Sequence, residues 1–428
     1  MRFSTLDDWL RWQETLHPSE IELGLERVGS VFKRLWPQSP PFAVITVAGT
    51  NGKGSSVAML AAILRAAGYR VASYTSPHLL RYNERIRIND HTVDDATLIE
   101  AFARIDQARQ SLSLTYFEFG TLAALDIFYR CHGEEGLDVA LLEVGLGGRL
   151  DAVNIVDADV ALITSISLDH TDWLGETRDA IGMEKAGILR AGRAAVFSGP
   201  DMPSTIRQHA SDLGVSLYVA GEDFDFDACE QDWQWRTRSQ APVALPLPAL
   251  RGTHQLQNAA GVLMALQLLQ QRLPVSRQAI RQGLLAVELA GRFQVRPGQP
   301  QWIFDVAHNP DAVAQLAARL QQDPCAGQTL VVVGMLRDKD ATLALQSLAP
   351  LVAAWFVAAL PHAGERAMSP QGLLNVIQGL AGGRQPASVH ADVASACNAA
   401  RAVAQNADRI VVCGSFHTVA DALQADIY

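Results

Sequence analysis

The chain has 428 residues and a mass of 46.3 kDa, and its 49% hydrophobic and 19% charged residues are ordinary for a globular protein. This composition excludes a disordered or collagen-like chain, and the length predicts two or three domains at about 100–200 residues each. The formal net charge of −10 disfavours binding to nucleic acid or to an anionic membrane, although a small anionic substrate remains possible.

The sequence lacks the marks of secretion or of membrane insertion. Its first residues, MRFSTLDDWLRWQ, are polar and acidic, and no apolar stretch is long enough for a transmembrane helix. Its five cysteines are odd in number and scattered, which fits neither a disulfide framework nor a zinc site. We therefore expect a cytoplasmic protein with reduced thiols.

Segments typical of strands and helices alternate through the first two thirds of the chain. A helix is predicted over 55–67, and apolar runs of strand length lie at 42–48, 70–74, 137–144 and 160–166. Continuously apolar strands that alternate with helices are typical of a parallel sheet covered on both faces. Further along, a small β-excursion is predicted at 225–248 and an amphipathic helix at 258–272.

A Gly- and Pro-rich break at 289–301 separates this region from a second α/β region. After the break, helices are expected between strand-like runs at 302–306, 329–333, 354–357 and 409–413. The predicted fold class is therefore α/β, with an N-terminal domain over 1–295 that contains a mainly parallel sheet. A smaller, Rossmann-like α/β domain is predicted over 296–428.

The segment 47–56 (VAGTNGKGSS) follows the first predicted strand and opens the first predicted helix of the sheet domain. In that position, backbone N–H groups and the helix N-terminus favour an anion, and Lys53 adds a positive charge. The segment departs from the pattern G-x-x-x-x-G-K-[ST], because Val47 replaces the first glycine and Gly54 precedes Ser55. We interpret it as a nucleotide phosphate loop; the alternative is a glycine-rich turn with an exposed lysine.

Three further residues stand out from the pattern alone. Glu143 ends an apolar strand, where a carboxylate beside a phosphate loop is expected to bind Mg²⁺, or else to cap a helix or pair with a cation. His170 follows the strand at 160–166 and could be structural instead. Lys185 is one of only four lysines in a chain that otherwise uses arginine, which favours a role that arginine cannot perform. The alternative is a surface salt bridge.

The phosphate loop in the form GTNGKGS resembles that of the Mur ligase superfamily, whose members join an amino acid to a carboxylate with ATP. Further segments resemble the folylpolyglutamate synthase family, and within it the bacterial bifunctional dihydrofolate synthase/folylpolyglutamate synthases. The resemblance runs in order from about residue 20 to the C-terminus and is weak at 221–256. The segments are SPH at 76–78, TYFE at 115–118, LEVGLGGRLDAVN at 142–154, LDHTDWLG at 168–175, EKAGI at 184–188, GRFQ at 291–294, FDVAHNP at 304–310 and VCGSFHTVADAL at 412–423.

The resemblance implies an N-terminal P-loop ATPase domain that uses ATP as co-substrate and two Mg²⁺ ions. It places one ion on Ser76 and Glu143, has His170 help to hold the second, and makes Lys185 an N6-carboxylysine formed with CO₂. The implied catalytic residues are Lys53, Glu143, His170 and Lys185. The implied ATP-binding residues are Gly49, Thr50, Asn51, Gly52, Lys53, Gly54, Ser55, Asn258, Arg292 and Asp305. For Asn258 alone, a helix-capping role is an alternative.

The resemblance also implies a site for dihydropteroate in the N-terminal domain and a site for glutamate in the C-terminal domain. Aromatic faces at Tyr116 and Phe117 suit a flat pterin, and Glu118 or Asp151 can accept its N–H donors, although an aromatic pair can simply be core. The implied pterin-binding residues are Glu22, Leu23, Gly24, Thr115, Tyr116, Phe117, Glu118, Leu150, Asp151 and Ala152. His308 and Ser415 are expected to bind the incoming glutamate.

The resemblance therefore implies a ligase that adds L-glutamate to dihydropteroate and to tetrahydrofolates through an acyl phosphate. A monofunctional folylpolyglutamate synthase, a Mur-type ligase of wall precursors and a regulatory ATP-binding module are the alternatives. Only about 40 residues precede the first predicted strand, which disfavours the wall-precursor ligases because those carry an extra N-terminal domain. A monomer is expected.

Overall fold

The computed structural model describes residues 2–19, 21–380 and 385–428. These fall into two compact units, Met1–Val287 and Glu288–Tyr428, each with its own sheet. Residue 295, at which the sequence places the domain boundary, lies inside a short strand, Gln294–Arg296. That strand belongs to the second unit because it pairs with the strand Gln301–Phe304 of the same unit.

The first unit is built on an eight-stranded sheet. Its strands are β1 (Ala43–Ala48), β2 (Val71–Tyr74), β3 (Ile86–Ile88), β4 (His91–Thr92), β5 (Val139–Glu143), β6 (Val160–Ile163), β7 (Ala194–Phe197) and β8 (Ser216–Val219). The spatial order is β4-β3-β2-β5-β1-β6-β7-β8, and only β3 and β4 pair antiparallel. The strands β1, β2, β5 and β6 are buried along their whole length, as their continuous apolar sequence predicts.

Helices connect and cover these strands. They are α1 (Leu6–Leu16), α2 (Glu26–Leu35), α3 (Lys53–Ala66), α4 (Asp95–Arg109), α5 (Tyr116–Glu135), α6 (Thr171–Leu174), α7 (Arg178–Ala186), α8 (Ser204–Asp212), α9 (Thr253–Leu268) and α10 (Arg277–Ala286). Short 3₁₀ helices lie at Tyr82–Arg85 and Ala152–Ile155. Side chains cap several N-termini; Asp94, for example, accepts the Thr97 N–H at the start of α4.

The predicted β-excursion is a three-stranded antiparallel sheet of β9 (Phe224–Ala228), β10 (Asp232–Thr237) and β11 (Gln240–Pro246). The neighbouring helix α9 differs from its prediction in two respects. It begins at Thr253 rather than at residue 258, and it is buried on nearly all sides rather than amphipathic. The reason is packing, because α9 contacts α3 on one side and β6, β7 and β9 on others.

The second unit is a six-stranded sheet with the order β12-β13-β17-β14-β15-β16, in which only β12 pairs antiparallel. Its strands are β12 (Gln294–Arg296), β13 (Gln301–Phe304), β14 (Thr329–Val333), β15 (Ala354–Ala358), β16 (Ala387–His390) and β17 (Arg409–Cys413). Its helices are α11 (Pro310–Gln322), α12 (Ala341–Gln346), α13 (Pro370–Gly379), α14 (Val393–Val403) and α15 (Phe416–Ala425). Short 3₁₀ helices lie at Ala349–Leu351 and Pro361–Arg366.

The predicted fold class is confirmed: both units are α/β, and both sheets are mainly parallel. In parallel sheets the carboxyl ends of the strands share one edge, and ligands bind there. In the first unit, this edge brings together the segments that follow β1, β2, β5 and β6. Among the described residues, no helix has both the length and the apolar character needed to cross a bilayer.

Candidate functional site

The loop between β1 and α3 has a backbone that only glycine can provide at two positions. Gly49 and Gly52 have φ angles of 151° and 88°. A Cβ atom on Gly49 would lie 1.7 Å from the Thr164 Oγ1, and a Cβ atom on Gly52 would lie 2.5 Å from the Asn258 Oδ1. The loop is therefore packed directly against the end of β6 and against α9, with no room for a side chain at Gly49 or Gly52.

Hydrogen bonds fix the same loop to the segment that follows β6. The Thr50 N–H donates to the Ser165 carbonyl at 2.7 Å, and the Thr50 hydroxyl donates to the Ser167 carbonyl at 3.0 Å. The Thr164 hydroxyl donates to the Asn51 carbonyl at 2.6 Å. Thr164 is fully buried, and the sequence analysis missed it because its partner lies 113 residues away.

Lys53 curls back over this loop. Its Nζ donates to the carbonyls of Gly49 (3.0 Å) and Thr50 (3.2 Å). The interpretation as a glycine turn with an exposed lysine is therefore wrong, because the lysine is partly buried and bonded to the loop. Gly54 and Ser55 follow in the first turn of α3, so the loop, the ammonium and the helix N-terminus form an arrangement that can bind an anion.

The amide of Asn258 reaches the phosphate loop through a neighbour on α9. Asn258 donates from Nδ2 to the Gln255 Oε1 (3.2 Å), and Gln255 donates from Nε2 to the Ser55 Oγ (3.2 Å). All three side chains are buried. Asn258 lies in the interior of α9, so the helix-capping alternative is wrong. Gln255 is a second residue that the sequence analysis missed.

Glu143 and Ser76 are neighbours at the same edge of the sheet. The strands β2 and β5 pair directly, and the Ser76 N–H donates to the Glu143 Oε2 at 3.2 Å. The Glu143 side chain is buried, and a buried carboxylate is usually paired with a cation or bound to a metal ion. One carboxylate and one hydroxyl suit Mg²⁺, which usually takes few protein ligands and fills the rest with water and phosphate oxygens.

His170 lies farther out on the segment after β6. It is exposed, has a φ of 52°, and occupies the N-cap position of α6, where its backbone N–H donates to the Asp169 Oδ1 (2.9 Å). Among the described residues, no three or more His, Cys, Asp or Glu side chains are grouped so that they could hold a metal.

Lys185 is the most unusual titratable group of the first unit. It is buried at the end of α7, and this burial, with the nearby charge of Lys53, lowers its pKa to about 7. The interpretation as a surface salt bridge is wrong, because the neighbouring Glu184 pairs instead with Arg149 at 2.8 Å. A buried lysine with this pKa is largely a neutral, nucleophilic amine at physiological pH.

Close backbone contacts hold the loop after β5 against α7. A Cβ atom on Gly148 would lie 2.8 Å from the Glu184 carbonyl, and the Arg149 N–H donates to that carbonyl at 2.8 Å. Asp151 follows in this loop, and burial raises its pKa to about 6 although backbone N–H groups bond it. The glycines of the segment 145–148 therefore bring this loop close to Lys185.

The predicted pterin-binding residues of α5 form its first turn. Thr115 caps the helix, and the Thr115 N–H and the Glu118 Oε2 complete a capping box at 2.8 Å. The rings of Tyr116 and Phe117 are only partly buried; Phe117 lies against Gly145, where a Cβ atom would be 2.5 Å from the ring. The two rings therefore pack on the core without being enclosed by it.

The two carboxylates expected to accept pterin N–H groups already have partners. Asp151 accepts the N–H groups of Leu146 (2.8 Å) and Val153 (3.0 Å). Glu118 accepts an N–H of Arg27 at 3.2 Å in addition to its capping bond. Of the remaining predicted residues, Ala152 is buried in the 3₁₀ helix, whereas Glu22, Leu23, Gly24 and Leu150 are partly exposed and outside helices and strands.

In the second unit, the predicted polar residues gather after two neighbouring strands, β13 and β17. Burial raises the pKa of Asp305, which accepts the N–H groups of Phe293 and Ala307, each at 2.8 Å. The His308 ring lies 6.2 Å from the Phe416 ring, between centroids, and the Arg292 guanidinium lies 5.1 Å from that same ring.

Ser415 is buried and serves as the N-cap of α15. Its hydroxyl accepts the Thr418 N–H at 3.0 Å and lies 2.7 Å from the Thr418 hydroxyl. The structure therefore gives Ser415 a structural role in addition to the predicted one. Its neighbour Gly414 has a φ of 108°, and a Cβ atom there would be 2.5 Å from the Gly334 carbonyl.

Comparisons with known proteins identify the family of the chain. The Mur ligase middle domain matches residues 47–266, and the Mur ligase glutamate ligase domain matches residues 291–416. The dihydrofolate synthase/folylpolyglutamate synthase of Escherichia coli (strain K12) is 46% identical over 98% of this chain and 95% of its own length.

Two solved structures have nearly the same fold. The first is E. coli FolC in complex with DHPP and ADP, with a TM-score of 0.91, 45% identity, and coverage of 98% of this chain and 97% of that chain. The second is a bifunctional folylpolyglutamate synthase/dihydrofolate synthase with Mn, AMPPNP and L-glutamate bound. It has a TM-score of 0.89, 47% identity, and coverage of 99% of this chain and 98% of that chain.

Proposed function

This chain belongs to the Mur ligase superfamily and, within it, to the dihydrofolate synthase/folylpolyglutamate synthase family, and from that premise we propose how its residues divide the reaction. The chain is an ATP-dependent ligase that adds L-glutamate to dihydropteroate and to folates. The observation that carries this function is the glycine loop after β1, over which Lys53 folds back, together with Glu143 at the end of the neighbouring strand β5.

The chemistry requires two successive transfers. The acid carboxylate attacks the γ-phosphorus of ATP, and the bond to the β,γ-bridging oxygen breaks, which gives an acyl phosphate and ADP. The α-amine of glutamate then attacks the acyl carbon, and inorganic phosphate leaves as the amide forms and a proton is released. We assign the loop from Gly49 to Ser55 to the ATP phosphates, with Lys53 facing the charge of the transferred group.

ATP and a divalent metal ion are used by this family, and we propose that two Mg²⁺ ions act here. Ser76 and Glu143 would hold the first ion; His170 and a carboxylated Lys185 would support the second. When bound, Mg²⁺ neutralises charge on the phosphate oxygens. The low pKa of Lys185 supports the modification, because only the neutral amine adds CO₂.

We assign the remaining substrates by position. The half-buried rings of Tyr116 and Phe117 support a pterin site beside Glu22–Gly24, Thr115, Glu118 and Leu150–Ala152. Asn258, Arg292 and Asp305 are assigned to ATP, and His308 and Ser415 to glutamate. We further propose a monomer, as in the family, that acts in the cytoplasm, because all five cysteines are unpaired thiols.

Phosphate release tests the function directly. With ATP, Mg²⁺ and glutamate, wild-type protein is expected to release phosphate only when dihydropteroate, tetrahydrofolate or 10-formyl-tetrahydrofolate is added. Lys53→Met should abolish that release, whereas Lys33→Met removes an exposed lysine of α2 and should leave it intact. Release that needs no acid, or that is supported by folates but not by dihydropteroate, contradicts the bifunctional assignment.

A further inference from the structure

Arg27 joins its neighbour Glu22 to Glu118, which lies 91 residues after Arg27 in the first unit. From the second position of α2, its Nη1 pairs with the Glu22 Oε1, and its Nη2 donates to the Glu22 carbonyl (3.2 Å) and to the Glu118 Oε1 (3.2 Å). The guanidinium therefore contacts the segment 22–24 on one side and the first turn of α5 on the other.

The two acids that Arg27 bridges differ in burial, and this difference decides which of them fixes the position of Arg27. The Glu118 side chain is 4% exposed and the Glu22 side chain is 45% exposed. A buried carboxylate needs an opposite charge, so Glu118 sets the position of Arg27, and Arg27 in turn holds the more exposed Glu22. The Arg27 Nε is buried and has no hydrogen-bond partner among the described residues, so these contacts with the two glutamates hold the guanidinium.

The segment 22–24 has an irregular backbone. It belongs to no helix or strand, and a Cβ atom on Gly24 would meet no atom within 4 Å. The Glu22 Oε2 also lies 3.4 Å from the His17 Nε2, a pair that is ionic only when the imidazole is protonated. In contrast, α2 itself contacts both α5 and the 3₁₀ helix Ala152–Ile155, so Arg27 starts from a fixed position.

We propose that Arg27 is a positioning residue for the acid substrate. By bridging Glu22 and Glu118, it holds the segment 22–24 against the first turn of α5, beside Tyr116, and so sets the affinity for dihydropteroate and folates. Arg27 itself contacts Glu22 and Glu118 and is not assigned to ATP, which we place on the loop from Gly49 to Ser55. This inference rests on the pterin site of the proposed function.

The physical reason is preorganisation. A segment that is ordered before binding does not have to lose its conformational freedom when the substrate arrives, so breaking the bridge weakens binding of the acid alone. Only arginine can make the bridge, because its planar fork reaches both acids at once, whereas the ammonium of lysine is a single point. Loss of the charged bonds is expected to weaken binding about tenfold.

Initial-rate kinetics of the full chain test the proposal. Arg27→Met should raise KM for dihydropteroate about tenfold, with KM for ATP unchanged within about twofold. Arg34→Met is the matched control: it removes an arginine of the same helix that donates instead to the carbonyls of Ala108 (2.8 Å) and Arg109 (3.3 Å), and both KM values should stay as in wild type.

Two further variants separate positioning from simple support of the fold. Glu118→Gln should raise the same KM, and the double variant should be no worse than the stronger single variant, because both break one bridge. Compared with Arg27→Met, Arg27→Lys should recover the thermal stability but only part of the affinity for dihydropteroate. If Arg27→Met does not fold, the KM values of Arg27→Lys provide the test.

Three results would overturn the inference. These are an unchanged KM for dihydropteroate in Arg27→Met, an equal rise in KM for ATP, or additive effects of Arg27→Met and Glu118→Gln. A wild-type chain that releases no phosphate with any acid substrate would instead refute the proposed function, and the inference with it. The wild-type assay therefore distinguishes the two failures.

Discussion

Lys185 shows how strongly surroundings can change one residue. The chain uses arginine almost everywhere that a cation is needed, and lysine at only four positions. At Lys185, burial removes water from the ammonium and the nearby Lys53 repels it, so both effects favour the neutral amine. Arginine would keep its charge in the same place, and so it could neither accept CO₂ nor become a carboxylate.

Replacing Lys185 by arginine tests this chemistry. Lys185→Arg is expected to fold but to lose roughly 100-fold or more of the ligase activity, because it removes the side chain that we propose supports a second metal ion. Added bicarbonate should not restore the activity. Phosphate release and thermal unfolding, measured side by side, check both parts, and full activity in this variant would remove the carbamate from the mechanism.

The pKa of Lys185 also predicts the pH dependence of its modification. A lysine with the ordinary pKa is neutral in only about one molecule in a thousand at pH 7.4, whereas a pKa of about 7 makes the neutral form rise steeply as pH passes through 7. At a fixed CO₂ pressure, carbamate should therefore increase from pH 6 to pH 8.

Carbon-13 NMR with labelled CO₂ measures that increase, and Lys185→Met identifies the signal. A carbamate signal that persists in Lys185→Met, or that does not change with pH, would contradict the assignment.

At the scale of elements, the phosphate loop depends on the strand beside it. The bonds from Thr50 to the carbonyls of Ser165 and Ser167, and from Thr164 to the Asn51 carbonyl, join the loop after β1 to the segment after β6. The conformation of the loop thus depends on residues distant in the sequence, and Gly49 is the loop residue that lies closest to Thr164.

Gly49→Ala is expected to abolish ADP binding, because its Cβ would overlap the Thr164 hydroxyl and push the loop away from its place. Gly68→Ala, after the other end of α3, is the matched control. Gly68 has a φ of 92° but no atom within 4 Å of a Cβ, so the variant should lose about 1 kcal/mol of stability and bind ADP normally. Isothermal titration with ADP distinguishes them, and equal binding by both variants would refute the steric argument.

The elements were largely predictable from the sequence, and their packing was not. The strand β14 has the predicted bounds because a continuous apolar run is typical of a buried parallel strand. The start of α9 at Thr253 and its burial were not predictable, since they follow from the two sheets that it contacts. Motifs identified Glu143 and Lys185, but Thr164, Gln255 and Arg27 act through partners distant in the sequence, which no local pattern reveals.

At the scale of the whole molecule, the chain consists of two units with separate cores. The core of the first unit gathers the aromatic side chains of α1, α4 and α5 onto the eight-stranded sheet. The core of the second unit packs α11, α12 and α13 on one side of β14 and β15. Each unit therefore has the apolar interior that a domain needs to be stable by itself.

Unfolding of the full chain is therefore expected in at least two steps. ADP at about 100 times its Kd should stabilise the unit that contains the phosphate loop by about 2.7 kcal/mol. Calorimetry resolves the steps, and hydrogen exchange in β1 and β14 assigns them to the two units. A single transition with equal calorimetric and van't Hoff enthalpies would contradict this expectation.

The neutral amine of Lys185 has a practical consequence for handling the protein. Urea solutions contain isocyanic acid, which adds to uncharged amines and leaves a urea-type group that carries no charge and does not come off. Folded protein kept in dilute, non-denaturing urea should therefore react at Lys185 in preference to lysines with an ordinary pKa, and bicarbonate present from the start should protect it; unfolded protein should show no such preference.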